Sequence, residues 1–197
     1  LYVVFQKEPS MSSGKPVPWV NDDDGGVPNR LFRNLGKGRF QDVTEQTGAG
    51  GGNRNSLAGC WFFYDDDHFP DLYIANDFGR NVLLRNPGNG RFEDLSESSG
   101  AADYATSMGA VAGDLNNDEA AELYVANMYS KMGRRIIGQV DDSDYPAGIF
   151  DQIEGSCSGN RLYQRHPGQK SFQELAGPLA VNTVGWAYAP AMLDVDN

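Results

Sequence analysis

Short apolar runs recur along this chain, parted by glycine, asparagine and aspartate, and none of them sustains a helical period. Runs such as Ser107 to Gly113, Leu123 to Ala126, Asn160 to Gln164 and Phe172 to Leu175 predict four short strands in succession. Gly36-Lys-Gly38 and Gly88-Asn-Gly90 fall between apolar runs, where glycine closes a tight hairpin by taking positive φ without a Cβ clash. A later turn carries Lys170 at the matching place and is expected to differ. The run Trp61-Phe-Phe-Tyr64 is expected to be buried on both faces between adjacent sheets rather than exposed as a carbohydrate platform, with Trp186 and Tyr188 on a corresponding strand. Tyr73 and Tyr124 recur at one place in the pattern and are read as packing residues.

The pattern repeats as a unit. Asn29-Arg-Leu-Phe-Arg-Asn-Leu-Gly-Lys-Gly-Arg-Phe-Gln-Asp-Val-Thr44 aligns with Asn81-Val-Leu-Leu-Arg-Asn-Pro-Gly-Asn-Gly-Arg-Phe-Glu-Asp-Leu-Ser96, and a degraded copy runs from Asn160 to Leu175. Between copies lies an aspartate-rich loop followed by Asp71-Leu-Tyr-Ile-Ala-Asn76 or Glu122-Leu-Tyr-Val-Ala-Asn127. Four antiparallel strands in a unit of roughly 40–50 residues is the blade of a β-propeller, in which each small sheet buries its faces against its neighbours. The fold expected is therefore all-β, a propeller or a segment of one, with the acidic loops between the first and second strands of each blade. Residues 1–47 are expected to form an incomplete blade, 57–98 a complete blade, 107–176 a complete blade carrying an irregular or partly helical insertion at about 128–158, and 184–197 the first strand of a further blade. Because Leu1-Tyr-Val-Val-Phe5 aligns with the Leu-Tyr strands and Asp194-Val-Asp-Asn197 with an acidic loop, the chain reads as a segment of a longer propeller.

At 197 residues and 40% hydrophobic, the chain has enough apolar material for a sizeable core. A formal charge of −11, from 27 acidic against 16 basic residues, argues against nucleic acid or an anionic membrane as partner. No apolar run approaches the about 18 residues of a membrane-spanning helix. The acidic residues gather in loops, a distribution that favours cation binding. Cys60 and Cys157 lack metal-type spacing and read as buried free thiols.

The strongest chemical signal is Asp114-Leu-Asn-Asn-Asp-Glu-Ala-Ala-Glu122, with oxygen-bearing side chains at loop positions 1, 3, 5 and 9. Alternate residues of a tight loop converge, so Asp114, Asn116 and Asp118 meet while Glu122 returns from the next strand. Calcium takes about 6–8 oxygens, and a backbone carbonyl near Ala120 plus water would complete the shell. Position 12 is Val125 and a strand follows, which sets the loop apart from an EF-hand. In the neighbouring copy Asp65, Asp67 and Asp71 hold positions 3, 5 and 9, but Phe63 stands at position 1, so a weaker or differently coordinated site is expected. Asp194 and Asp196 repeat positions 1 and 3. The run Asn21-Asp-Asp-Asp-Gly-Gly26 has no position-9 partner and reads as an exposed loop. The competing reading is that these carboxylates solvate hairpins and cap turns through backbone hydrogen bonds.

The combination Asp-x-Asn-x-Asp-x-x-x-Glu, Leu-Tyr-Val-Ala-Asn, and Asn-Arg-Leu-Phe-Arg-Asn-x-Gly-x-Gly-x-Phe-x-Asp-Val-Thr resembles the FG-GAP/VCBS repeats of integrin-α-like propellers, most closely those of bacterial secreted proteins that carry an ASPIC/UnbV module. The resemblance implies an extracellular, calcium-binding, non-enzymatic propeller for adhesion, for binding a protein or carbohydrate ligand, or for scaffold building. The family pattern Asp-x-Asp-x-Asp-Gly-x-x-Asp is departed from at Phe63 and His68 in one loop and at Asn116, Glu119 and Glu122 in the other. The glycine of position 6 is missing from both.

Other classes have less to stand on. Gly155-Ser-Cys-Ser-Gly159 mimics a nucleophile elbow, yet the strand-like Asn160-Arg-Leu-Tyr follows where a helix is needed. His68 and His166 sit in hairpin loops of different modules, and no carboxylate pair is isolated in an apolar setting. No catalytic residue is assigned. A self-assembling extracellular filament or surface layer, built by pairing of blade-edge strands, is the alternative function, and a hydrolase on a propeller scaffold a lesser one.

Overall fold

The computed structural model describes residues 1–6, 26–145 and 149–193 in full and the backbone of 10–12 and 15–17. Asp194 and Asp196, and the aspartates of the Asn21–Gly26 run, lie outside the described residues. In chain order the elements are β1 (Tyr2–Val3), β2 (Ser10–Ser12), β3 (Lys15–Val17), β4 (Arg30–Asn34), β5 (Phe40–Asp42), α1 (Thr44–Thr47), β6 (Asn55–Phe62), β7 (Asp71–Asp77), β8 (Gly79–Arg80), β9 (Val82–Arg85), β10 (Glu93–Asp94) and α2 (Ser96–Ser99). They continue with β11 (Tyr104–Ala105), β12 (Ser107–Gly113), β13 (Glu122–Asn127), α3 (Lys131–Ile137), α4 (Ile149–Gly155), β14 (Arg161–Gln164) and β15 (Gln173–Glu174).

Strands β6, β7, β9 and β10 form one four-stranded antiparallel meander and β12, β13, β14 and β15 a second, while β1, β4 and β5 form a three-stranded sheet. The sheets stack through their faces. In β7, Leu72 and Ile74 point to the first sheet and pack with Val82, Leu84, Tyr2 and Leu31. Tyr73 points the other way and packs with Phe62, Leu83, Leu123, Val125, Tyr163 and Phe172. Every residue of β7 is buried, because a strand between two sheets has no solvent face.

A strand buried on both faces must find partners for all its polar groups. The asparagine opening each copy of the long motif supplies one of them. Asn29 Oδ1 accepts from Phe5 N at 2.9 Å, Asn81 Oδ1 from Asn76 N at 2.8 Å and Asn160 Oδ1 from Asn127 N at 2.8 Å. The amide nitrogens of the first two then cross to the next sheet, Asn29 Nδ2 donating to Ser56 Oγ and Asn81 Nδ2 to Ser107 Oγ, each at 2.9 Å. The motif's phenylalanines add a parallel link, Phe92 N donating to Thr47 O and Phe172 N to Ser99 O. At the motif's end Asp42 and Asp94 accept from the backbone N–H and hydroxyl of Thr44 and Ser96, and these hydroxyls accept from Leu31 N and Leu83 N. Each such turn starts a four-residue helix, α1 or α2, that ends on a left-handed glycine, Gly48 or Gly100. Helices this short leave no period in the sequence.

Two expectations are corrected. Within Trp61–Tyr64, Phe62 and Tyr64 are 6% and 4% exposed, whereas Trp61 and Phe63 are 42% and 56% exposed. Only one face of β6 meets a full sheet; Trp61 is met on the other by the rings of Tyr2 and Phe92, each centroid 6.2 Å away. Residues 184–193 form no regular strand among the described residues, their single bridge being Met128 to Trp186, and Trp186 and Tyr188 are exposed. The segment instead crosses β12, where a Cβ on Gly109 would stand 2.3 Å from Tyr188 O. The stretch after Asn127 holds α3, a 3₁₀ turn at Asp142–Asp144 and α4. Gly36, Lys37, Gly38, Gly88 and Gly90 take positive φ in their hairpins; near Lys170 only Gly168 does so, and the turn closes by Gln169 N donating to His166 O.

Removing the clamp by Asn81→Ala orphans Asn76 N–H and Ser107 Oγ in the interior and is expected to cost about 2–4 kcal/mol, seen as a lower denaturant midpoint at unchanged slope. At the end of β7, Asp77 has one buried carboxylate oxygen without a partner among the described residues, and burial pushes its carboxyl up to about 6 from 3.8. A folded value above the unfolded one stabilises the fold at acid pH, and the contribution is lost as pH rises through about 6. Asp77→Asn is expected to flatten urea midpoints between pH 4 and pH 7 and to raise stability above pH 7; an unchanged profile would assign the slope elsewhere.

Candidate metal centre

The Asp114–Glu122 loop joins β12 to β13, and its side chains are tied to one another and to the loop backbone by hydrogen bonds. Asp114 accepts from Asp118 N at 3.2 Å and Glu119 N at 2.9 Å, and Asp118 Oδ1 accepts from Ala120 N at 3.0 Å. Glu122, buried at the first position of β13, accepts from Leu115 N at 2.7 Å. Asn116 joins the two halves, its Nδ2 donating to Asp118 Oδ2 at 3.2 Å and to Glu122 Oε1 at 2.8 Å. From the end of β14, Gln164 Nε2 donates to Glu122 Oε1 at 3.2 Å, and just beyond the strand His166 Nδ1 lies 3.2 Å from Asp118 Oδ2.

Among the described residues no group of three or more His, Cys, Asp or Glu side chains is arranged to hold a metal ion. In this loop the amide of Asn116 stands between two of the carboxylates. By donor type the loop nonetheless fits a hard divalent cation. Asp114, Asp118 and Glu122 are carboxylates, a half-turn of the Asn116 amide puts Oδ1 where Nδ2 stands, and among the described residues no lysine or arginine is paired with the set. Ala120 is buried at the loop's return, its N–H committed to Asp118.

The Asp65–Asp71 loop joins β6 to β7 and is built differently. Asp71 takes the place of Glu122, accepting from Tyr64 N and Asn86 N, both at 2.7 Å. Burial pushes its carboxyl up to about 6 against the pull of these amides, and the charges of Asp65 and Asp67 add to the rise. Between Asp65 and Asp67 lies a guanidinium: Arg85 Nε donates to Asp65 Oδ2 at 2.5 Å and its terminal nitrogens to Asp67 Oδ2 at 2.9 Å and Glu93 Oε2 at 3.2 Å. These carboxylates do not fit a divalent ion while Arg85 is paired with them. Asp66 takes no part in the pairing with Arg85.

Neither loop has glycine at position 6, yet both keep the left-handed turn there, with φ of 65° at His68 and 69° at Glu119. Arg85 went unassigned from sequence, although the aligned repeats set it opposite Gln164. The clamp asparagines were visible as invariants of the repeat, but their bonds were not. The sequence Gly155–Gly159 runs on from the last residue of α4, and Cys157 is buried with its Sγ against Ile153 O and Glu154 O. Burial pushes that thiol up, the reverse of an activated nucleophile. Both cysteines are free. The cleft beside the Asp65 loop, about 390 Å³, is lined by Tyr64, Arg85, Arg165, Lys170 and three carboxylates, of which Asp65 and Glu93 are paired to Arg85 and Asp66 is not.

Residues 64–125 match the family model of an FG-GAP-like repeat. The match opens at the Asp65–Asp71 loop, passes through β7 to β12 and closes in β13, so it takes in both acidic loops. No curated protein matches the chain. No helix among the described residues is long and apolar enough to cross a membrane.

Left-handed backbone costs a residue with a Cβ about 1–2 kcal/mol relative to glycine. His68→Gly and Glu119→Gly are each expected to stabilise the protein by about 1 kcal/mol, part of the gain being offset by the freer unfolded chain. Thermal melts of the two variants check this; a loss of stability in both would mean that the side chains, not the backbone, set these turns.

Proposed function

We propose that this chain is a calcium-stabilised, non-catalytic binding module of an extracellular protein, its stacked sheets being blades of an FG-GAP-type propeller, with Asp114, Asn116, Asp118, Glu122 and the carbonyl near Ala120 holding the ion. The observation that carries the reading is the Asp114–Glu122 loop, in which Asp118 and Glu122 share the Asn116 amide and Asp114 accepts from the Asp118 and Glu119 N–H groups, without an arginine or lysine among the described residues paired to these carboxylates. Such a set is repulsive on its own and relieved by a divalent cation. The cation would tie β12 to β13 and link folding to occupancy. Its FG-GAP-like match and the loop-concentrated acidity support a secreted or surface setting of the kind that carries ASPIC/UnbV modules, where a protein or carbohydrate ligand is the expected partner. Assembly through outer blade edges has less support: β5, β10 and β15 are two or three residues long and carry Asp42, Glu93, Asp94 and Glu174, which blunt strand pairing.

An ion present at 100 times its dissociation constant contributes about 2.7 kcal/mol, about 5–10 °C in Tm for a chain of this size. Chelation is expected to lower Tm by that order, and Asp114→Ala or Asp118→Ala to abolish most of the response. Equal melting with chelator and with millimolar calcium would refute the reading.

A further inference from the structure

We propose that Arg85 is a built-in counter-ion that closes the Asp65–Asp71 loop in place of a divalent cation, so that of the two acidic loops one is balanced by a side chain and the other left to an ion. The second half rests on the calcium reading of the Asp114–Glu122 loop; the first does not.

Leu72 in β7 faces Leu84 in β9, and Leu123 in β13 faces Tyr163 in β14. The next residues outward are Arg85 beside Asp71 and Gln164 beside Glu122. The two positions are equivalent, and they differ by one full charge. Arg85 spends three nitrogens on three carboxylates, Asp65, Asp67 and Glu93. Its planar fork is suited to several acceptors at once, which a lysine ammonium is not. Gln164 gives one neutral bond to Glu122. The nearest arginine of that repeat, Arg165, lies over the Tyr64 ring at 5.4 Å and donates to the carbonyls of His166 and Gln169, so it does not substitute.

Arg85 bonds to the Oδ2 atoms of positions 3 and 5, the oxygens a cation in that loop would need, so the two modes of closure exclude each other. All three groups keep about a quarter of their side-chain surface exposed, enough to be screened by salt but not enough to leave the carboxylates indifferent to one another. Partial burial works against ionisation of Asp65, yet the Arg85 hydrogen bond holds its carboxyl below the ordinary range. Loss of position 1 to Phe63 fits the same account, since a loop closed by a guanidinium has no use for a further carboxylate.

The test is a melting series at low ionic strength in the Asp118→Ala background, which silences the other loop. Arg85→Gln is expected to lower Tm by about 2–4 °C in chelator and to regain it in millimolar calcium chloride, a response that Asp118→Ala alone lacks. If the variant gains no calcium response, or stays unfolded even in calcium, the ion does not replace the guanidinium and the proposal is overturned. The reciprocal Gln164→Arg in the otherwise unaltered chain is expected to shrink its calcium-dependent Tm shift. A chain whose Tm ignores calcium until Arg85 is replaced would reject the calcium reading of Asp114–Glu122 and keep this one; a chain that responds through Asp118 but gains nothing from Arg85→Gln would do the opposite.

Discussion

The stack of sheets depends on one constraint: β7 is buried on both faces and β13 nearly so, and a strand in that position must hand its backbone N–H and C=O groups to fixed partners. Apolar packing supplies the drive to stack but is non-directional, so it does not set how one sheet sits on the next. The clamp asparagines do. One side chain takes an N–H at or just past the end of the neighbouring strand and, in two of the three copies, reaches a serine at the start of the following sheet. The register of neighbouring sheets is thereby written in hydrogen bonds whose failure would leave orphans in the core. Phenylalanine N–H groups bonded to the ends of the one-turn helices repeat the link at the other side of each sheet.

The acidic loops follow from the same architecture. A meander whose strands are buried pushes its polar material to the turns, and the turn between first and second strands returns to a buried carboxylate, Asp71 or Glu122, that receives the N–H of loop position 2. That carboxylate is structural in both loops whether or not an ion is present. The remaining acidic side chains are then drawn into a small volume, and the charge there needs an answer. Arg85 supplies it in one sheet, while Gln164 in the equivalent place leaves it open in the other.

Much of this was legible in the chain. The strands at 107–113, 122–127, 161–164 and 173–174 lie where alternation and turn residues put them, because a repeat gives several independent views of one pattern. The acidic loops were found by spacing. What stayed hidden was tertiary. Alternation cannot say which face of β6 has a neighbour, and so Trp61 and Phe63 were wrongly assigned to the interior. An apolar run such as Val184–Leu193 does not reveal that its backbone lies across Gly109 rather than in a sheet. Arg85 looked like any other charged residue at a strand end until β9 placed it beside Asp65 and Asp67. The one-turn helices were missed because four residues complete no second turn.

The missing glycines separate two properties of the loop that sequence motifs merge. If glycine at position 6 were what made the turn, His68 and Glu119 should have relaxed it; both instead hold positive φ, with Asp67 and Asp118 accepting the N–H two residues on, from Phe69 and Ala120. Shape is therefore enforced by carboxylate-to-backbone hydrogen bonds, strong enough to outweigh a left-handed penalty of about 1–2 kcal/mol. The same oxygens that shape the loop are the ones that concentrate its charge. On the reading proposed above, a loop of this kind would keep its fold while its counter-ion changed from metal to guanidinium, so that one repeat architecture could carry ion-dependent modules beside ion-independent ones.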